Sequence, residues 1–191
     1  MSDSRSNHRS TLRVSACVAT LMALAAVAAT VPAHAGEIIP SLGVTKPVHQ
    51  GDADASIFGG LAFRGNLAPM LQTEVGVAYR TESRLGGDLK VRQWPIPGSM
   101  WLAPVKNLYA GGGVGWYQTT YDFSSAVPQR DFTKQKFGVH LGGGFAVPLG
   151  PALAIDMNGR YVYLQKEKGI SPPQEFNPDY WSTTAGLAFR F

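Results

Sequence analysis

The sequence predicts an all-β fold, an eight-stranded antiparallel up-and-down transmembrane β-barrel that follows a cleaved signal peptide. Three observations lead there: an export-type N-terminal segment, eight stretches of period-two alternation, and a last strand that stops on an aromatic residue. In that strand Trp181, Thr183, Ala185, Leu187, Phe189 and Phe191 share one face, while Ser182, Thr184, Gly186, Ala188 and Arg190 share the other. A strand of this length, at about 3.3 Å per residue and tilted by roughly 45°, covers about 25 Å, the height of the apolar band of a transmembrane barrel.

Residues 1–35 read as a secretory leader. Arg5, Arg9 and Arg13 precede an apolar run from Cys17 to Val31 that closes on Ala33-His34-Ala35. The run is shorter than the roughly 18 apolar residues a spanning helix needs. Val14-Ser15-Ala16-Cys17 has the look of a lipoprotein box, but its apolar region follows the cysteine instead of preceding it. Cleavage after Ala35 leaves 36–191 as one barrel domain. It also removes the only cysteine, so no disulfide, thiol nucleophile or thiolate ligand is expected. The formal charge of +4 falls to +2 once Asp3 and the three arginines leave with the leader. The basic balance therefore says little about nucleic acid, and none is expected as a partner.

Eight strands are predicted, at 37–45, 55–65, 70–80, 89–101, 108–121, 136–147, 152–164 and 180–191. The first carries Pro40 in its interior. The second carries Arg64 next to its end. In the third, Val75, Val77 and Tyr79 oppose Gln72, Glu74 and Arg80. The fourth holds Pro95 and Pro97; because proline cannot donate to a ladder, this strand is expected to bulge or to start later. The fifth is rich in glycine, and small residues there make room for large neighbours across the lumen. In the sixth, Phe137, Val139, Leu141, Phe145 and Val147 oppose Gly138, His140, Gly142, Gly144 and Ala146. In the seventh, Leu153, Ile155, Met157, Tyr161 and Tyr163 oppose Asp156, Asn158 and Arg160. Connections alternate between long (46–54, 81–88, 122–135, 165–179) and short (66–69, 102–107, 148–151). Such asymmetry fits one rim of tight periplasmic turns, with both chain ends, and one rim of surface loops.

Aromatic placement points the same way. Tyr79, Trp116, Tyr161, Tyr163 and Trp181 are expected near one rim, with Phe189 and Phe191 near the other, the girdle arrangement of membrane barrels. The runs YAGGGVGWY (109–117) and VHLGGGFAVPLGPALAIDMNGRYVYL (139–164), with the terminal LAFRF, give the chain a form that resembles the OmpA/OmpX-like outer-membrane β-barrel family over nearly all its mature length. The resemblance implies a cell outer membrane location. It also implies insertion by the barrel-assembly machinery, with Phe191 and Phe189 in the recognition signal. No peptidoglycan-binding domain is expected. The expected surroundings are outer-membrane lipid and lipopolysaccharide, and the expected state is a monomer.

No residue pattern calls for catalysis, a cofactor or a metal. His140 shares its face with Gly138 and Gly142, has no serine two residues away, and is expected to be a satisfied histidine inside the barrel; with His49 it makes a poor metal site. Gly111-Gly112-Gly113 lacks the lysine and hydroxyl of a phosphate loop. Arg64, Glu74, Asp156, Arg160 and Arg190 map to the interior, where Asp156 and Glu74 are expected to serve as counter-ions in a polar plug. Arg80 maps there too, with a place at the watery rim as the alternative. Eight strands enclose a space that side chains just fill, so no wide pore is expected. The function expected is that of a non-enzymatic envelope barrel displaying surface loops. The alternatives are a membrane enzyme modifying lipid A and a soluble periplasmic lipocalin-like binder.

Overall fold

The computed structural model describes residues 36–48, 55–84, 89–105, 107–123, 131–165, 167–171, 174–176 and 178–191. The expected leader, 1–35, lies outside the described residues, as do His49 and parts of all four long loops. The described chain forms β1 (Glu37–Pro47), β2 (Ser56–Ala68), β3 (Leu71–Arg84), β4 (Leu89–Val105), β5 (Leu108–Phe123), β6 (Phe132–Pro148), β7 (Leu153–Leu164), β8 (Glu167–Ser171), β9 (Gln174–Phe176) and β10 (Tyr180–Arg190). Eight of them close into a barrel in the order β1-β10-β7-β6-β5-β4-β3-β2, every pair antiparallel. Closure leaves no strand edge, which a wall lying in lipid requires.

The wall is inside out relative to a soluble β protein. Outward Leu42, Ile57 and Leu141 are 70%, 74% and 70% exposed, whereas inward Arg64, Glu74 and Asp156 are 3%, 2% and 4% exposed. A water-soluble sandwich or lipocalin would hide the first set. Aromatic pairs stud the outward face: Tyr79 with Trp94 at 4.8 Å, Trp116 with Phe137 at 4.4 Å and Tyr161 with Trp181 at 4.8 Å. At the rim where β1 begins and β10 ends, Phe191 lies 6.2 Å from Phe63. There Gly36 and Phe191 exchange two backbone hydrogen bonds, of 3.1 and 3.0 Å, that seal β1 to the end of β10.

The structure differs from the sequence reading in four places. Most barrel strands run past their predicted ends; β3 reaches Arg84, β4 reaches Val105, and β6 begins at Phe132. Beyond the apolar band both faces of a strand lose the contrast that makes alternation visible, but backbone pairing continues. The expected connection 102–107 accordingly shrinks to a tight turn in which Asn107 takes a left-handed φ of 69°, a conformation asparagine tolerates. The stretch 165–179, read as a loop, contains the small separate hairpin β8–β9. Asp179, at its end, is buried and accepts the Leu164 amide at 2.8 Å, while its own carbonyl accepts Val48 N–H at 3.0 Å.

The fourth difference concerns the prolines. Instead of bulging or starting late, β4 runs straight through Pro95 and Pro97, paired to β5 at Pro95↔Tyr117 and Pro97↔Gly115. Its ladder to β3 is what breaks. Pairing runs from Leu71↔Leu102 to Val75↔Gly98 and resumes at Arg80↔Gln93 in the same register, leaving 76–79 and 94–97 without partners. The donors the prolines lack are those aimed at β3. Pro40 acts likewise in β1, whose ladder to β10 skips Ile39 and Pro40.

Candidate functional site

The inward side chains converge on a buried polar network near the rim where β1 begins and β10 ends. Arg64 lies in the last third of β2, and the pairing Arg64↔Glu74 across the β2–β3 hairpin sets the two charges side by side. Arg64 Nε and Nη2 donate to one Glu74 carboxylate oxygen at 2.9 and 2.7 Å, and Nη1 donates to Asp156, across the lumen on β7, at 2.8 Å. The Tyr109 hydroxyl sits 2.8 and 2.9 Å from the two Asp156 oxygens. It also accepts from Arg64 Nη2 at 3.1 Å and from Asn158 Nδ2 at 3.3 Å. The Arg64 guanidinium lies 4.3 Å above the Tyr109 ring. Charges removed from water are costly unless every lone pair and proton finds a partner, and here two acids, one arginine and one phenol satisfy each other.

Arg160 and Arg190 go elsewhere than expected. Although Asp156 and Arg160 share a face of β7, Arg160 donates to the other oxygen of Glu74 at 2.5 Å and to Asn158 Oδ1 at 2.6 Å. Glu74 thus serves two arginines. Arg190, half-buried at the rim, donates to Glu37 at 2.8 Å instead of reaching Asp156. Glu37 was not singled out by the sequence reading because it stands at the very start of the first strand, where alternation has barely begun. Tyr109 and Trp101 were missed as lumen residues for a related reason: aromatic residues read as lipid-facing unless their parity is checked against Glu74 or Asp156.

Arg80, for which the watery rim was an alternative, is buried in the lumen. Its Nε donates to the Gln93 side-chain oxygen at 2.8 Å, its guanidinium lies 4.0 Å over the Tyr180 ring, and its Nη1 has no partner among the described residues. His140 is buried too, and it does meet a serine, although not on its own strand. The row Ser99↔Gly113↔His140 crosses β4, β5 and β6, and since Gly113 has no side chain, Ser99 Oγ and His140 Nε2 approach to 2.9 Å over it. His140 Nδ1 has no hydrogen-bond partner among the described residues. Serine activation needs an acid on that nitrogen, and Glu74 is already held by two arginines.

The glycines of β5 and β6 act by absence. A methyl group on Gly115 would sit 2.8 Å from the Tyr117 ring, and one on Gly138 would sit 3.0 Å from it. Trp101 packs edge-on against Tyr109 with centroids 5.3 Å apart, and Arg160 stacks 5.0 Å over its ring. The lower lumen is therefore plugged. Above it, between Arg80 and His140, a cavity of about 80 Å³ remains.

A family model described as outer membrane protein beta-barrel domain matches residues 15–191. Among solved structures, Neisserial surface protein A aligns with a TM-score of 0.59 at 12% identity, covering 83% of this chain and 100% of that one. Ail, the attachment invasion locus protein of Yersinia pestis, solved with the heparin analogue sucrose octasulfate, gives 0.56 at 14%, covering 82% and 97%. A major outer membrane protein from Thermus thermophilus gives 0.53 at 18%, covering 83% and 100%. These likenesses concern the fold. No curated protein matches the sequence.

Proposed function

The chain belongs to the outer membrane protein β-barrel family, and on that premise we propose that it is a monomeric barrel without enzymatic activity that contributes to the envelope and displays its long loops at the cell surface. The observation that carries this reading is the reversal of burial, with leucine and isoleucine facing out and arginine and glutamate locked inside. A wall of that kind is stable only in lipid, and it leaves the rim loops as the parts free to meet other molecules. Absence of catalysis is supported by the histidine, which has a serine on one nitrogen and no acid on the other. We further propose lipopolysaccharide and outer-membrane phospholipid as the barrel's surroundings, and Phe191, in register with Phe189, as the signal read by the assembly machinery.

An epitope tag inserted near Ser125 tests the arrangement. Intact cells should bind the antibody, the protein should fractionate with the outer membrane, and unboiled samples should migrate apart from boiled ones. In the same cells, deleting Phe191 should lower the folded band. Labelling that requires permeabilised cells would invert the topology.

A further inference from the structure

The lumen cavity and the interrupted β3–β4 ladder lie against each other. Continuing the flanking register places Pro95 opposite Ala78 and Pro97 opposite Gly76, so two successive rungs of the wall lack a donor. Backbone carbonyls without donors are unfavourable in hydrocarbon, and strands joined by fewer hydrogen bonds separate more easily there than elsewhere in the wall. Gly76, Ala78, Pro95 and Pro97 form one side of the cavity, and Arg80 and His140 line it too. Arg80 is a buried cation whose hydrogen bond and ring contact are to a neutral amide and a phenol ring, with Nη1 left over. Nearby Glu74 is committed to Arg64 and Arg160, and Glu82 lies two residues further along the face of Arg80. When His140 Nε2 accepts the Ser99 hydroxyl, Nδ1 carries a second unused proton.

We propose that this seam admits the head of a single-chain anionic amphiphile, a fatty carboxylate, from the bilayer. The carboxylate sits at Arg80 Nη1 and His140 Nδ1, and the alkyl chain leaves between β3 and β4 into the hydrocarbon. Size selects this arrangement. A cavity of about 80 Å³ holds roughly two or three water-sized groups, enough for a carboxylate and its first methylene but not for a whole lipid. The chain must therefore lie outside, and the adjoining stretch of unpaired wall is where it can pass. Two spare donors, a small, partly open space and an unpaired exit each have little use alone; together they describe a binding site for one end of a lipid-borne acid.

The test uses the folded barrel in detergent micelles, with Trp94, Trp116 and Trp181 changed to Phe so that Trp101 alone emits. Trp101 lies 6.4 Å from the His140 ring and 5.0 Å from the Arg160 guanidinium, beside the cavity. α-Bromopalmitate, with its quencher next to the carboxylate, should quench Trp101 saturably and several-fold more strongly than ω-bromopalmitate; the barrel residues contain no cysteine for it to alkylate. Arg80→Gln should weaken the effect several-fold and Arg80→Lys should recover part of it. Pro95→Ala with Pro97→Ala, which restores the donors, should slow its onset several-fold. The methyl ester of the probe, tested on the unaltered lumen, should quench no more than background. It decides the question even where a lumen variant loses its heat-modifiable folded band. Absence of saturable quenching, stronger quenching by the ω-probe, or an ester as effective as the acid would each overturn the proposal. Bromoacetate binding as tightly as α-bromopalmitate would also overturn it, by making the cavity a site for small aqueous anions.

Discussion

Within one lumen, two neighbouring levels treat buried charge in opposite ways. Near the chain ends, Glu74 and Asp156 face Arg64, Arg160 and Tyr109, with donors and acceptors matched at hydrogen-bond distance. One step towards the loops, Arg80 and His140 retain unpartnered nitrogens beside a cavity and a stretch of wall with missing rungs. The backbone frame is the same at both levels, so the difference lies in the side chains. Large and complementary groups fill the lower level, while glycine, alanine and proline leave the upper one open. A barrel can thus be rigid at one height and accessible at another.

The largest effect is expected from breaking the matched level. Glu74→Ala takes the shared carboxylate from buried Arg64 and half-buried Arg160, and loss of one partner of a buried pair typically costs about 3–5 kcal/mol. Asp156→Ala should cost less, because Arg64 keeps Glu74. Asp122→Ala, which removes only the partner of exposed Arg92, should leave the urea midpoint unresolvably changed. Comparing the three unfolding midpoints checks the order, and equal values for Glu74 and Asp122 would place the network in water.

A smaller effect is expected above. Arg80→Met removes a buried cation that has no acid partner among the described residues, so the loss should be about 1–3 kcal/mol, the cost of leaving the buried Gln93 oxygen without its donor. A loss as large as that of Glu74→Ala would mean that Arg80 belongs to the structural plug. The smallest effect concerns conduction. Trp101, Tyr109 and the paired charges close the lumen, so planar bilayers holding the protein should show no large, stable openings. Porin-sized steps would contradict a plugged eight-stranded wall.

Much of this frame was legible in the chain. The opposed faces of the sixth and seventh predicted strands recur in β6 and β7 because a wall between lipid and a packed lumen imposes strict parity. Pro95 and Pro97 were recognised as a disturbance, but not its form. A proline reports a missing donor, and which neighbour loses it depends on the direction of each N–H in the closed sheet. Partner choice among the charges was also hidden. Asp156 and Arg160 are close in sequence, yet Arg160 meets Glu74 across 86 positions and Ser99 meets His140 across 41. The second pair meets across β5, where the register sets a glycine between them.

The sequence by itself determined that the strands alternate, that arginines, acids and His140 take the inward parity, and that the first strand begins at the rim where the last one ends, because these follow from a period of two and from connection lengths. Tertiary structure alone decided that Glu74 serves two arginines, that Arg190 turns to Glu37, and that Arg80 stands beside an open space at an unpaired seam. Those outcomes depend on register and on which rows of small residues face one another across the lumen. The first is set as each strand pairs with its neighbour, the second only when the last strand hydrogen-bonds to the first.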